Sequence, residues 1–340
     1  MPISRRFSIL LVLALAVVSG LWSAAWVYAR GRVDLEIERV LAREAGQGRQ
    51  IACSERSISG YPFHIAVKCA HPVFAQIRGQ QIEVAAASLV GSAAVWAPRR
   101  VAIDVVGPLR VAEPGPGGRE FARAEFALGQ VVVVQETGGL RSLAVVADTV
   151  SLALSGGTLQ FRAPHAELRL DRRTTDGVDR LVDAGIVLSK LQAPFVLPGT
   201  RGPLDVEVDV TLSAAESWQG TSMPERLRSW GSSGGRAKIT RLRLVSDGAA
   251  TEASGDVALD ARGRLNGTLR VLVVGLDQVL GDLVQARAIP REMMTVVPTL
   301  NAIGAKGEIA GRPALSLPVR LRDGLIMIGP VPIGAVPPLY

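Results

Sequence analysis

The feature that most constrains this chain is an uncharged apolar run near its N-terminus, from Phe7 to Ala29. A helix of this length rises about 34 Å, and the hydrocarbon core of a bilayer is about 30 Å thick. Trp22, Trp26 and Tyr28 lie at the C-terminal end of the run, where aromatic side chains collect at a membrane–water interface. The run predicts a membrane-spanning helix, so the rest of the chain is expected to fold beside a membrane.

A cleaved signal peptide is the alternative interpretation of the same run. Residues 8–18 have the length of a signal-peptide apolar region, and small residues follow Trp22. The long apolar continuation and the bulky Trp26 and Tyr28 favour an uncleaved anchor.

The flanking charges bear on the orientation of this anchor. Five arginines follow the run within twenty residues and two precede it, which favours the N-terminus outside. A long domain crosses a membrane largely regardless of its charge, however, and a long domain follows here. We therefore expect residues 1–29 to be a cytoplasmic tip and anchor in a bacterial inner membrane. Residues 30–48 are expected to form a juxtamembrane helical stalk, and residues 49–340 a periplasmic β-rich domain with a candidate sub-boundary near 215–235.

The composition favours a mainly β protein and argues against a nucleic-acid partner. The chain has 36 Gly and 20 Pro in 340 residues, and aromatic residues make up only 4%. Such a chain builds its core from aliphatic side chains and uses many turns. The net charge of +7 is spread along the chain as single arginines, whereas a nucleic-acid binder gathers its positive charge into a patch.

The two cysteines frame the most distinctive segment. Cys53 and Cys69 are equidistant from Tyr61, inside the sequence Gly60-Tyr61-Pro62-Phe63. Two strands folded around a turn at Gly60, Tyr61, Pro62 and Phe63 would bring the cysteines opposite each other. We therefore predict a hairpin pinned by a Cys53–Cys69 disulfide, since an even cysteine count in an oxidising compartment indicates pairing. A redox-active pair usually has a CxxC spacing, which is absent.

Beyond residue 80, apolar and polar residues alternate in segment after segment. The clearest is the stretch from Leu204 to Leu212, which alternates strictly over nine residues. Strands of this kind have one apolar face, as in antiparallel sheets, and the Gly-containing separators between them predict hairpins. We expect extended or curved antiparallel sheets, with 255–273 as a second such strand. The candidate apolar interior of the first strand comprises Leu204, Val206, Val208, Val210 and Leu212.

Three short helices are expected to interrupt the strands. Residues 223–230 follow the capping residue Ser222 and precede Gly231. Residues 276–286 and 291–302 form a second and third candidate, the last of them kinked or ended at Pro298.

No motif in the sequence predicts catalysis, a metal or a cofactor. The three histidines, His64, His71 and His165, lie outside any zinc-binding spacing. His64 and His71 flank Cys69, which leaves a metal-binding hairpin as a minor alternative to ordinary surface histidines. Nucleophile-elbow and phosphate-loop patterns are absent from the sequence, so we expect a protein that is not an enzyme.

Several of these residues together resemble a known bacterial family. The anchor, the Cys53–Cys69 hairpin and the terminal segment from Asp323 to Leu339 resemble domain-of-unknown-function family twenty-one twenty-five over nearly the whole chain. The architecture of the chain is also similar to that of the AsmA-like envelope proteins, as are strand–turn segments such as the one that begins at Gly263. That likeness implies an anchored, β-rich protein associated with lipid handling between membranes.

Two functions remain open at this point. One-faced strands tethered to a membrane favour a protein that binds or shields lipid acyl chains in envelope homeostasis. The alternative is an envelope scaffold or assembly factor, partnered by envelope proteins, in which the apolar faces bury each other and hold no ligand. An open apolar groove would favour the first function and a closed, filled core the second.

Overall fold

The computed structural model of the protein describes residues 5–79, 81–115, 117–137, 139–154, 157–174, 180–194, 200–220, 222–287, 289, 291–329 and 331–340. It is mainly β, with antiparallel strand pairings and a few helices, which confirms the predicted fold class. The chain divides into two compact units, residues 1–134 with 153–158 and residues 135–152 with 159–340. The candidate sub-boundary near 215–235 thus lies inside the second unit.

The first unit begins with one long helix, α1 (Arg5–Gly46), which ends where Gly46 and Gly48 interrupt the helical pattern. Ten short strands follow in chain order: β1 (Arg49–Ala52), β2 (Glu55–Ser59), β3 (His64–Ala70), β4 (Val73–Gln76), β5 (Ile82–Ala85), β6 (Ser88–Ala94), β7 (Arg100–Val106), β8 (Leu109–Ala112), β9 (Glu120–Glu125) and β10 (Gly129–Glu136).

These ten strands are the halves of five long, bent strands. β3 and β4 pair with β6 and β5 in one unbroken register, from His64 opposite Ala94 to Gln76 opposite Ile82. β2 and β1 likewise pair with β3 and β4 in one unbroken register, from Ser59 opposite Ala66 to Arg49 opposite Gln76. The five long strands form an up-and-down antiparallel meander, so successive turns lie at alternate ends of it.

The second unit continues with antiparallel strands. β11 (Gly139–Leu154) is divided between the units. The remaining elements, in chain order, are β12 (Leu159–Thr174), β13 (Arg180–Leu191), β14 (Leu204–Leu212), α2 (Met223–Ser232), β15 (Arg236–Val245), β16 (Ala250–Leu259), β17 (Leu265–Val274), α3 (Leu276–Gln285), α4 (Val297–Ile303), β18 (Ala305–Ile309), β19 (Arg312–Arg322), β20 (Leu325–Ile328) and β21 (Val331–Ala335). Short 3-10 turns occupy Ala215–Ser217 and Arg291–Val296.

The strands from β12 to β17 pair in chain order, and β19 pairs with β17. The interpretation of residues 255–273 as one strand is wrong, because a tight turn at Asp260–Gly263 separates β16 from β17. The Asp260 carboxylate accepts hydrogen bonds from the backbone N–H groups of Arg262 (2.8 Å) and Arg264 (2.9 Å), which closes that turn.

The helices follow their local signals with two differences. Ser222 and Glu225 form a capping box at the start of α2, but the helix continues past Gly231 to Ser232. Pro298 lies in the first turn of α4, where its missing N–H costs nothing, so it begins a helix there.

The filled core of the second unit lies where α3 and α4 cover β17, β19 and β20. Its buried residues are Leu280, Leu300, Leu317, Val319, Leu321 and Ile328. Leu300 and Leu317 are each 1% exposed. Leu265, Leu269 and Val271 of β17 pack against this cluster. All three occupy odd-numbered positions of one strand, so their side chains lie on the same face of the sheet.

Candidate functional site

The second half of α1 presents an apolar row to one side. Trp26, Ala29, Val33, Ile37 and Leu41 recur every three or four residues, so they share one face of the helix. Trp26 is buried and the other four are half-buried. The predicted stalk at 30–48 is therefore not a bare connector, because its apolar face is turned toward the rest of the first unit.

Three strands of the meander supply the opposite wall. Their pairing places Val67 of β3 beside Gly91 of β6, and Gly91 beside Ile103 of β7, in one row across the sheet. The neighbouring row consists of Ile65, Ala93 and Val101. Since side chains alternate between the faces of a sheet, both rows lie on one face. In these two rows the middle strand contributes only a glycine and an alanine.

A cavity of about 1160 Å³ lies between α1 and this sheet face. Ligand pockets usually span about 300–1,000 Å³, so the space is large enough for a sizeable apolar molecule. Its lining is predominantly apolar: Tyr28, Ala29, Val33, Ile37, Leu41, Ile51, Ala52, Ile65, Val67, Pro72, Leu89, Gly91, Ala93, Ala94, Val95, Pro98 and Val101, with Cys53, Cys69, Ser92, Arg32 and Arg56. We call this cavity the α1 groove.

A glycine is one reason that the floor of the groove is open. A Cβ built on Gly91 would have no heavy atom within 4 Å, and its backbone is ordinary extended strand. A larger side chain is therefore sterically acceptable at this position. Its absence leaves space in the middle of the sheet face.

Two arginines bring positive charge to the groove. The Arg56 guanidinium donates to Asp34 Oδ1 at 3.0 Å and to Glu38 Oε1 at 2.5 Å, and thereby ties β2 to α1. The hydrogen bond to Glu38, followed by the attraction of both carboxylates, holds the pKa of Arg56 above its ordinary value. Arg32 is exposed and makes no ion pair within the described part of the chain. An anionic group at the groove would therefore meet one engaged arginine and one available arginine.

The disulfide lies in the wall of the groove. Cys53 and Cys69 are bonded, with their Cα atoms 5.5 Å apart, and Cys69 is 5% exposed. The two cysteines are not direct cross-strand partners: Cys69 pairs with Arg56, and Cys53 lies in the bend between β1 and β2. The pairing of β2 with β3 is centred between Pro62 and Phe63 rather than on Tyr61. The disulfide therefore joins a bend to a strand, not two residues that face each other across a hairpin.

The turn predicted at Gly60, Tyr61, Pro62 and Phe63 joins β2 to β3 and contacts α1. The indole Nε1 of Trp22 donates to the Pro62 carbonyl at 3.0 Å, and that of Trp26 donates to the His64 carbonyl at 3.1 Å. The Ser23 and Tyr61 hydroxyls are 2.8 Å apart. The turn is thus held against the C-terminal part of the apolar run.

The predicted interior residues of β14 lie elsewhere, in the second unit. Leu204 is buried, whereas Val206, Val208, Val210 and Leu212 are half-buried. Val208 pairs with Ile186 on one side and with Leu242 on the other, and Ile186 is 39% exposed. These residues form an apolar sheet face, and none of them belongs to the filled core beneath α3 and α4.

The histidines are separated in the structure. His165 Nδ1 lies 2.7 Å from Asp148 Oδ1, and His71 Nδ1 lies 3.3 Å from Ser54 Oγ. Among the residues that the structure describes, no group of three or more His, Cys, Asp or Glu side chains could hold a metal ion.

Sequence reasoning missed the α1 groove, although two signals for it are present. The helical spacing from Trp26 to Leu41 indicates a face with a partner, and the small residues from Gly91 to Ala94 indicate a thin strand. What could not be anticipated is that these two segments face each other, because 50 or more residues separate them.

The comparisons with known proteins identify a family match that spans most of the chain. A family model described as "Uncharacterized protein conserved in bacteria (DUF2125)" matches residues 26–337. The matched range includes every residue that lines the α1 groove. The comparisons with curated proteins and with solved structures gave no significant match.

Proposed function

The chain belongs to the bacterial family DUF2125, and from this premise we propose that it is a non-enzymatic protein of the inner membrane that binds lipid acyl chains. One observation carries the proposal: a predominantly apolar groove of about 1160 Å³ lies along a helix that is long and apolar enough to span a bilayer. The body of the protein would lie in the periplasm and serve envelope lipid homeostasis.

The chemistry of the groove fits an acyl chain better than a polar ligand. Aliphatic and small side chains make up nearly all of its lining. An apolar surface left in water costs about 25 cal/mol per Å², so an acyl chain would stabilise the groove by displacing water from it.

Moving an acyl chain from a bilayer into the groove exchanges one apolar environment for another. The net gain from the chain itself is therefore small, and selectivity must come from the headgroup. Arg32 offers charge-assisted hydrogen bonds to an anionic phosphate or carboxylate, beside Arg56, which Asp34 and Glu38 already engage. We propose an anionic lipid, with its chain along Val33 and Ile37 and its headgroup near these arginines.

The scaffold function is the second candidate, and the filled core of the second unit favours it. There, α3 and α4 close over the sheet, and Leu300, Ile309 and Leu317 are at most 2% exposed. A protein built only from such closed layers would need no ligand. The two candidates therefore differ in what occupies the α1 groove.

Native mass spectrometry of the detergent-purified full chain tests the choice. We expect the wild-type protein to retain lipid and Gly91→Phe to lose it, because the new ring enters open space inside the groove. Gly281→Phe in α3 is the matched control, since a Cβ there also meets nothing within 4 Å. Wild-type protein without bound lipid would favour the scaffold, and equal lipid on both variants would place the bound lipid outside the α1 groove.

The orientation of the anchor has its own test. A reporter that is active only in the periplasm, fused after Tyr340, should be active. An inactive periplasmic reporter together with a fluorescent cytoplasmic one would reverse the proposed topology.

A further inference from the structure

Three aromatic side chains project from one end of the first unit with little cover. Tyr61 and Phe63 of the β2–β3 turn are 55% and 53% exposed, and Trp96 of the β6–β7 turn is 69% exposed. The ring centroids of Phe63 and Trp96 are 6.2 Å apart, and Val95 N donates to the Phe63 carbonyl at 3.0 Å. We call Tyr61, Phe63 and Trp96 the aromatic tip. Exposed apolar clusters of this kind usually mark an interaction surface.

Contacts with α1 fix the level of this tip along the helix. Phe63 lies 6.3 Å from Trp22, and Tyr61 lies 5.4 Å from Trp26, measured between ring centroids. A hydrocarbon core of about 30 Å takes about 20 helical residues, so a span that begins at Phe7 ends near Val27. Trp22 and Trp26 belong to the last turns of that span, and the tip lies beside them.

From this placement we infer that the aromatic tip is immersed in the outer leaflet of the bilayer that α1 crosses. The inference rests on the proposed membrane span. Trp and Tyr side chains prefer the interface, where the ring is in contact with lipid and the polar group reaches water. The exposed faces of the three rings have such surroundings only if the tip enters the lipid.

Polar groups of the β2–β3 turn region have hydrogen-bond partners on α1, which suits a medium with little water. An unsatisfied carbonyl costs several kcal/mol in a bilayer, where water cannot pair with it. The Pro62 and His64 carbonyls accept hydrogen bonds from the indoles of Trp22 and Trp26, and the Tyr61 hydroxyl pairs with Ser23. The helix thus supplies partners to two carbonyls and one hydroxyl at the depth where solvent would not.

The inference also places one end of the α1 groove at the membrane surface. Tyr28, Val95 and Pro98 line the groove and lie within a few residues of Trp26 and Trp96 along the chain. The membrane-facing end of the groove therefore lies at the level of the lipid headgroups.

Photo-crosslinking in proteoliposomes tests the inference on the full chain. p-Benzoylphenylalanine replaces one residue at a time in protein reconstituted into phosphatidylethanolamine and phosphatidylglycerol vesicles. Positions 63 and 96 probe the tip, and position 15 in the middle of the apolar run is the positive control. Position 121 is the matched negative control, because Phe121 is an aromatic residue, 37% exposed, at the opposite end of the meander.

We expect lipid adducts at 63 and 96 comparable to those at 15, and none above background at 121. Adducts at 15 without adducts at 63 and 96 would overturn the immersed tip and leave the anchor intact. Absence of adducts at 15 as well would overturn the proposed membrane span, and with it this inference. Equal adducts at 63 and 121 would show indiscriminate contact and overturn the inference too. Closure of the Cys53–Cys69 disulfide in each variant, measured by thiol labelling, confirms that the hairpin has folded.

Discussion

Helices lie beside an apolar sheet face in both units, yet only one of the two layers is filled. In the second unit, Leu280 and Leu300 of the helices meet Leu317 and Leu321 of the sheet, and all four are buried. In the first unit, Ile37 and Leu41 of α1 remain half-buried, and about 1160 Å³ lies between this helix and the sheet face that contains Gly91 and Ala93.

The difference shows that a helix over a sheet becomes a core only when side chains on both sides fill the space between them. Interiors are close-packed, so large residues must interdigitate from both layers. Gly91 and Ala93 have little or no side chain with which to fill the space beside α1. The predictions that follow test this contrast, from the largest expected effect to the smallest.

The largest effect should come from truncating the filled core. Leu300→Ala should lower the free energy of unfolding by about 3 kcal/mol, because it leaves a cavity in a packed layer. Ile37→Ala is the matched change in the α1 groove and should cost less than about 1 kcal/mol, since this side chain is already half-exposed. Denaturant titration of the full chain in detergent measures both values. Equal losses would mean that the groove is packed as tightly as the core.

The disulfide in the groove wall should contribute somewhat less. It closes a loop of about 15 residues, for which the loop-entropy model gives about 3 kcal/mol, and a locally formed hairpin would gain less than that. Cys53→Ser and Cys69→Ser should lower the melting temperature equally, and the double variant should add little. Labelling of both thiols in protein freshly extracted under non-reducing conditions would show instead that the bond does not form.

The sheet face of β14 should behave like the open region. Val208 is half-buried, so Val208→Asp should cost about 1–2 kcal/mol, near the lower end for a buried polar group without a partner. Val208→Ala separates lost packing from added charge. A loss of several kcal/mol would indicate a closed interior over β14.

The same variant tests where the proposed lipid ligand binds. We expect Val208→Asp to keep the wild-type lipid load in native mass spectrometry, because the proposed site is the α1 groove. Loss of lipid at normal stability would move the site to the β14 face.

The smallest effect concerns how the Asp260–Gly263 turn, which borders the filled core, makes stability depend on pH. Hydrogen bonds from the Arg264 backbone, then from its side chain and from the Arg262 backbone, hold the pKa of Asp260 below its ordinary value of 3.8. A lowered pKa in the folded state contributes stability above pH 3.8, and this contribution is lost as the pH falls through the folded-state pKa.

Asp260→Asn should therefore lower the melting temperature slightly at neutral pH, and the difference should close in acid. Melting curves of both proteins over a descending pH series provide the measurement. A difference that persists unchanged at the acid end would mean that the charge of Asp260 is not its cause.

The sequence predicted those parts of the fold that depend on near neighbours. The alternation from Leu204 to Leu212 predicted β14 because a strand has a period of two, and Ser222 predicted the start of α2 because a cap acts within three residues. The turn at Asp260 was missed although its signal is local, since the aspartate that closes it also fits an alternating strand.

The α1 groove could not be predicted, because it depends on distant pairings. The bends that divide the five long strands carry no common signal, although Gly107-Pro108 is one of them. The register that brings Val67, Gly91 and Ile103 into one row is set by two turns acting together. Only that row reveals that Gly91 leaves the middle of the floor empty.

The return of the chain to the C-terminal part of the apolar run constrains how this region can change in length. From Trp22 to Gly46 the helix rises about 36 Å, and a strand of eleven residues, such as 49–59, descends about the same distance. One extra helical turn adds about 6 Å, which two extra residues in the strand would match. Insertions and deletions in α1 should therefore be tolerated only as whole turns, each compensated by residue pairs in every strand of the meander. A lone insertion would either lift the turn away from Trp22 or rotate Val33 and Ile37 out of the groove.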